Sequence, residues 1–221
     1  MILYRDLSPR SCMLLDIHTH RLPSDPSTAL FSYFPGKEPP PVRARYLSAG
    51  LHPWYLSDKP LPERLEKLEQ QLADRRVLAI GEVGLDKCCP VPWELQEQAF
   101  EAVVRLAEER EKPIVIHNVR ATAELMAVRK RIRARQPWVM HGFRGKKELA
   151  ESWIRQGCYL SFGERYVPDT LQSVPLDRLL METDDSQTDI RQLYARAAAL
   201  RRLPVEQLEQ AVGHTADFLF F

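Results

Sequence analysis

The segment Leu14-Leu15-Asp16-Ile17-His18-Thr19-His20 ends an apolar run with two histidines two residues apart. On a strand, side chains at i and i+2 face the same side. His18 and His20 would then converge on one point, where neutral imidazoles can share a metal ion. An isolated His-x-His pair is also an ordinary surface feature, so its partners decide. Glu82, His117, His141 and Asp184 also fall at the ends of apolar runs. Burying that many titratable groups without a cation would be costly. Six ligands are too many for one catalytic zinc, which takes three plus water. They suit two divalent ions about 3.5–4 Å apart that share a carboxylate. Glu82 is the expected bridge. One ion would take His18, His20, Glu82 and Asp184; the other, Glu82, His117 and His141. Such ions lower the pKa of water, and Asp184 would orient that water and accept its proton. The expected chemistry is metal-assisted hydrolysis, with Glu82 and Asp184 as its catalytic carboxylates. Imidazole ligands favour Zn or Mn over a pure Mg site.

These residues need a scaffold that brings distant strand ends together. Apolar runs at 13–18, 28–34, 45–52, 77–82, 113–117, 138–141, 159–163 and 179–184 read as eight strands. Helical spacing is read at 62–76, 93–111, 121–135, 146–156, 190–203 and 205–220. Pro62 is placed for a first helical turn, and Gly157 for a helix end. Strands alternating with helices imply a parallel sheet with right-handed crossovers. Eight of them suggest an α/β fold closed into a (β/α)8 barrel, whose active sites form at the C-terminal ends of the strands. The proline-rich stretch 21–45 has no room for the first two helices, so these are expected to be shortened or missing. No repeat, low-complexity tract or linker divides the chain, and residues 1–221 read as one domain, with 1–11 as a lead-in.

Composition bounds the partners. A net charge of +1 favours neither nucleic acid nor membrane in bulk. Polyanion binding would therefore be local, near Arg129–Arg133 or Arg144–Lys147. No apolar run reaches the roughly 20 residues of a membrane span. The N-terminus carries Arg5, Asp6 and Arg10 and lacks a signal-peptide core. Cys12, Cys88, Cys89 and Cys158 form no Cys-x-x-Cys motif and read as free thiols of a cytoplasmic protein. Nothing in the sequence calls for an obligate protein partner.

The motifs together resemble a known family. Asp16-Ile-His-Thr-His20, Gly50-Leu-His-Pro53, Ile80-Gly-Glu-Val-Gly-Leu-Asp86, Pro113-Ile-Val-Ile-His117, His141-Gly-Phe-Arg-Gly145 and Glu182-Thr-Asp184 resemble the TatD-type metal-dependent hydrolases. The resemblance spans about residues 13–219. It implies a TIM barrel and a two-metal phosphodiesterase acting on DNA. The implied ligands are His18, His20, Glu82, His117, His141 and Asp184. It also implies dependence on divalent ions, with Mg among them. Two departures stand out. The family usually has a small residue, Arg and an acid after the fifth-strand histidine; here the run is Asn118-Val119-Arg120, with the arginine shifted. After Glu182-Thr-Asp184 the family usually continues Ser-Pro; here it is Asp185-Ser186-Gln187. The readings carried forward are a deoxyribonuclease, a hydrolase of small amides or esters on the same centre, and a metal-binding protein that has lost catalysis.

Other residues have two readings each. Arg120 and Arg144 follow ligand histidines and are suited to bidentate phosphate contacts, or they are solvated arginines. His52 touches substrate or supports a ligand. Asp16 is expected to hold a ligand histidine from behind. Trp54 and Tyr55 stack on a base or pack in the core. The Arg129–Arg135 run is expected on a solvated helix face.

Overall fold

A computed structural model describes residues 14–37, 39–56 and 59–221. The expected lead-in at 1–11 and Cys12 lie outside the described residues. Eight parallel strands form one sheet in sequence order. They are β1 (Asp16–Thr19), β2 (Ala29–Tyr33), β3 (Tyr46–Ala49), β4 (Val77–Asp86), β5 (Ile114–Val119), β6 (Trp138–Met140), β7 (Tyr159–Phe162) and β8 (Leu179–Met181). β1 and β8 meet through a single parallel bridge between Thr19 and Asp184. The Asp184 N–H donates to the His18 carbonyl at 2.9 Å, and the His20 N–H donates to the Asp184 carbonyl at 3.2 Å. The sheet is thus a nearly closed (β/α)8 TIM barrel, sealed at the mouth by residues that carry the candidate chemistry.

The helices are α1 (Leu61–Gln71), α2 (Trp93–Arg110), α3 (Thr122–Ile132), α4 (Lys147–Arg155), α5 (Pro168–Ser173), α6 (Ile190–Arg201) and α7 (Val205–Phe220). As expected, no α-helix joins β1 to β2 or β2 to β3 among the described residues. A three-residue 3-10 turn, Pro26–Thr28, stands in the first connection. Sequence reading missed α5. It also ended β4 at Glu82, whereas the strand continues through Val83-Gly84-Leu85-Asp86 and pairs with β5 as far as Val119.

Packing follows the sequence pattern. Ile114, Val115 and Ile116 are fully buried, as both faces of a parallel strand must be. α2 buries Ala99, Phe100, Val103, Val104 and Ala107, a 3/4-spaced stripe laid on the barrel. Its Gln96 also turns inward. The Gln96 side chain accepts from the Asp86 N–H at 2.9 Å and donates to the Val91 carbonyl at 2.9 Å, which fixes the end of β4. Arg129 corrects the expected solvated run. It is buried, lies over the Trp138 ring and donates to the Gln156 carbonyl. Its guanidinium bonds the backbone that follows α4, so its stem and head are both enclosed. Cys158 is buried, and burial pushes its thiol up to about 11; Cys88 is exposed, and both are free.

Asp16 corrects a second expectation. Its carboxylate meets the ligand candidate His18 at the backbone N–H and not at the ring. It accepts from the Thr183 N–H at 3.0 Å and the Thr183 hydroxyl at 2.6 Å. The Thr183 hydroxyl also lies 2.9 Å from the Thr19 hydroxyl. Burial pushes the Asp16 carboxyl up to about 7 against those hydrogen bonds. Asp16 thus fastens β1 to the end of β8, beside the one bridge that closes the barrel. Thr183→Val keeps the shape but leaves a buried carboxylate oxygen without its donor. The expected loss is about 1–3 kcal/mol, read as a lower urea midpoint with an unchanged slope.

Candidate metal centre

The strand ends bring the six candidate ligands together. His18 on β1 is fully buried, and His20 follows it on the rim. Their rings stand edge to face with centroids 4.9 Å apart. Glu82 on β4 is buried at the middle of the group. One of its oxygens, Oε2, lies 3.5 Å from His18 Nε2 and 3.4 Å from His20 Nε2. The other, Oε1, lies 2.6 Å from His117 Nδ1 and 2.8 Å from His141 Nε2. Asp184 Oδ1 completes the first half, 3.7 Å from His18 Nε2 and 3.6 Å from His20 Nε2. Its backbone is held at φ +56°, in the left-handed region that residues other than glycine rarely adopt. The two barrel-closing hydrogen bonds fix that conformation.

Sequence reasoning missed two further carboxylates. Glu182 is fully buried two residues before Asp184, and the two have ligand atoms within 4.8 Å of each other and of His141. Its Oε1 accepts from the Gly142 N–H at 2.6 Å and lies 3.4 Å from His141 Nδ1. Asp86 lies at the end of β4. Its Oδ2 accepts from Trp54 Nε1 at 2.7 Å and lies 3.3 Å from His117 Nε2. His117 is therefore held between Glu82 and Asp86, and His141 between Glu82 and Glu182. His52 also belongs to the group, with Nε2 3.4 Å from Glu82 Oε1. Its Nδ1 accepts from the Trp54 N–H at 3.2 Å.

Charge in the group is strongly polarised. Burial opposes ionisation of Glu82, but the charge on His141 and the hydrogen bonds from His117 and His141 outweigh it. The carboxyl lies well below the usual carboxylate range. Burial opposes a charge on His141 too, yet Glu82 and Glu182 hold it well above the usual imidazole range. Burial raises the Asp184 carboxyl, partly offset by His18 and His141.

The donor set fits divalent metal. Neither ring nitrogen of the fully buried His18 has a hydrogen-bond partner, Glu182 Oε2 also lacks one, and His141 Nδ1 has only the 3.4 Å approach of Glu182 Oε1. Ligand atoms about 2.0–2.2 Å from a tetrahedral ion lie about 3.4 Å from each other. The separations of 3.4–3.7 Å around His18, His20, Glu82 and Asp184 match that spacing and are too long for good hydrogen bonds. On the other side Glu82, His117 and His141 touch directly, and His141 Nε2 lies 3.4 Å from His117 Nδ1. Four overlapping His/Asp/Glu groups in this region have ligand atoms within 4.8 Å of one another.

Two clefts open beside the centre and share Arg144 and Asp184. One, about 330 Å³, is lined by His117, Asn118, Arg120, His141 and Arg144 among others. The other, about 410 Å³, is lined by Arg144, Arg165, Glu164, Glu182, Asp184 and Asp185 among others. Both arginines singled out in the sequence thus reach the mouth, and Arg165 joins them. Trp54 and Tyr55 part company. Tyr55 packs against Phe34 and His52, while Trp54 stays 47% exposed.

Comparison with known proteins agrees with this geometry. The model of the family described as TatD related DNase matches residues 42–220. That match begins after β1, so His18 and His20 stand on their own geometry. An uncharacterized metal-dependent hydrolase of Bacillus subtilis, YabD, is 34% identical over 197 residues, 79% of this chain and 77% of that protein. The 3'-5' ssDNA/RNA exonuclease TatD of Dickeya dadantii is 34% identical over 197 residues, 78% of this chain and 71% of that protein. The crystal structure of YjjV, a TatD homolog from Escherichia coli K12, superposes with a TM-score of 0.78 at 23% identity, covering 95% of this chain and 97% of that one. That likeness concerns the barrel alone, while the family match and the two sequence relatives bear on the chemistry. The chain belongs to the TatD related DNase family and is a metal-dependent hydrolase.

Proposed function

We propose that the chain is a two-metal phosphodiesterase acting on DNA. The observation that carries this reading is the division of Glu82, with one oxygen facing His18 and His20 and the other facing His117 and His141. A carboxylate placed so can serve two ions at once. His18, His20, Glu82 and Asp184 would hold one, and Glu82, His117 and His141 the other. Bound divalent ions (Zn, Mn or Mg) would polarise a phosphoryl oxygen and supply water of lowered pKa.

The chain's own residues do the rest. Asp184 is the proton acceptor, because it is the least buried carboxylate among the ligands and opens onto both clefts. Glu182 holds His141 from behind, and Asp86 holds His117. Arg120 and Arg144 line the cleft beside His117 and His141 and suit a phosphate oxygen. His52, beside Glu82, belongs at the substrate-facing edge of the same cluster. A narrow apolar pocket would have favoured small amides or esters, but arginines line both clefts. The relative named as a 3'-5' ssDNA/RNA exonuclease supports a nucleic acid substrate. Among the described residues no helix is long and apolar enough to cross a membrane, in keeping with a nuclease of the cytoplasm.

The test is cleavage of single- and double-stranded DNA with added Mg, Mn or Zn, beside Asp184→Ala and with metal content measured. Metal-dependent cleavage lost in the variant supports the reading. Two metals per chain without cleavage would turn it toward small-molecule esters. Arg144→Ala is expected to raise the KM for DNA roughly tenfold, the scale of one charge-assisted hydrogen bond. The effect should shrink at high salt. An unchanged KM at 50 mM salt would remove Arg144 from the substrate path.

A further inference from the structure

We propose that the indole of Trp54 is a platform on which an unpaired nucleobase of the substrate stacks, next to the metal centre. This rests on the phosphodiesterase reading and adds to it the place where a base is held. Four large apolar side chains are exposed among the described residues: Val42, Trp54, Phe218 and Phe221. Of these, Trp54 is the one hydrogen-bonded into the candidate site.

Its setting explains the exposure. Pro53–Tyr55 forms a 3-10 turn directly after His52, and the His52 ring caps it by accepting from the Trp54 N–H. Tyr55 fills the apolar niche beside Phe34, with ring centroids 5.2 Å apart. Trp54 is left outward, nearly half open to solvent. Yet its ring is not free. Nε1 donates to Asp86 Oδ2 at 2.7 Å, and the other Asp86 oxygen accepts from the Cys88 N–H at 2.7 Å. Gln96 fixes the Asp86 backbone from beneath. The indole is thus anchored by its polar edge before any ligand arrives, so little rotamer freedom remains to be lost on stacking.

The anchor also sets its location. Asp86 Oδ2 lies 3.3 Å from His117 Nε2, and His117 lines the cleft that holds Arg120 and Arg144. A base on the indole and a phosphate among the arginines therefore flank the same histidine. Aromatic stacking tolerates any base, because every base has a π-face, but it needs a base face that is not already stacked in a duplex. The expected ligand is single-stranded nucleic acid with an unpaired base beside the scissile phosphate.

The test separates stacking from the role of Trp54 in holding Asp86. The full-length protein is titrated with oligothymidylate dT8 and with an abasic strand of equal length, in EDTA so that nothing is cleaved. Tryptophan fluorescence is the readout. Quenching by dT8, weaker quenching by the abasic strand and its loss in Trp54→Phe would place the base on this indole, since Trp138 and Trp153 are fully buried and the half-buried Trp93 is retained in that variant. Because the variants lack the reporting indole, their Kd is read from the anisotropy of dye-labelled dT8; Trp54→Ala is expected to raise it about tenfold or more, the scale of one base–aromatic stack. Trp54→Phe keeps a ring but cannot bond Asp86, and should stay within about threefold of the parent by the same measure. The steady-state KM should follow the Kd, with kcat changing less.

Equal losses in Trp54→Phe and Trp54→Ala would show that Trp54 acts only through Asp86 and would overturn the proposal. So would equal binding of dT8 and the abasic strand. Stacking without metal-dependent cleavage would leave this inference standing and defeat the phosphodiesterase reading. Cleavage with indifferent Trp54 variants would do the reverse.

Discussion

Glu82→Ala is expected to abolish metal-dependent hydrolysis, with kcat down on the order of 10³-fold or more. The ions' contribution is worth several kcal/mol, and each ~1.4 kcal/mol is tenfold. Five histidines from both sides of the barrel approach this one carboxylate at 2.6–3.5 Å. Removing it takes away the proposed shared ligand and also the negative charge that the buried imidazoles face. Metal content should fall together with activity. Glu82→Gln separates the two effects, because it keeps the volume and loses the charge. It should lose metal nearly as fully as the alanine variant while its far-UV spectrum stays unchanged. The contrast with Asp184→Ala is informative. Asp184 sits at the edge of one half only, so that variant should keep more metal than Glu82→Ala while losing comparable rate. Hydrolysis within tenfold of the parent in Glu82→Ala would show that Glu82 does not bridge.

The convergence of the candidate ligands was legible because each ends an apolar run, and such runs are what buried parallel strands look like. Position along the strand then did the rest: His18 and His20 share a face because the side-chain period is two. The same rule applied to Glu182 and Asp184 would have found Glu182, whose neighbour drew the attention instead. Asp86 was out of reach for a different reason. Its role depends on β4 running four residues past Glu82, where the unbroken apolar run stops. Pairing of Leu85 with Asn118 and of Asp86 with Val119 carries the strand on. α5 was invisible because six residues between Pro168 and Pro175 are too few for a helical period to show. Asp16 was misplaced because its partner Thr183 lies 167 residues away, across the barrel seam. Contacts made at closure leave no trace in local spacing. Trp54 fell between its two readings for a similar reason, since its anchor is 32 residues distant.

Gly84→Ala is expected to be the most damaging small substitution in the barrel. Gly84 pairs with His117 across β4 and β5. A Cβ there would lie 1.9 Å from the His117 carbonyl oxygen and 2.8 Å from its carbonyl carbon. Those are backbone atoms of a fully packed strand, so no side chain can rotate away. Either β5 shifts or β4 does, and either movement also displaces a candidate ligand. Overpacking of this kind costs typically 1–3 kcal/mol and sometimes more. About 3 kcal/mol in a chain of this size lowers the Tm by roughly 6–12 °C. Gly163→Ala is the control. Its added methyl would meet Glu182 Cγ at 3.6 Å, an ordinary contact, also at the mouth of the barrel. It should stay within about 1 kcal/mol of the parent, because every contact of the added methyl is at ordinary van der Waals distance. Equal melting temperatures for the two variants would mean that β4 and β5 are not packed as closely as this register requires. The bond between Glu82 and His117 would then lose its support, because Gly84 is what lets the two strands approach. The demand for glycine at 84 and the demand for a carboxylate at 82 therefore have one origin: two strands brought close enough for a single side chain to reach both halves of the centre.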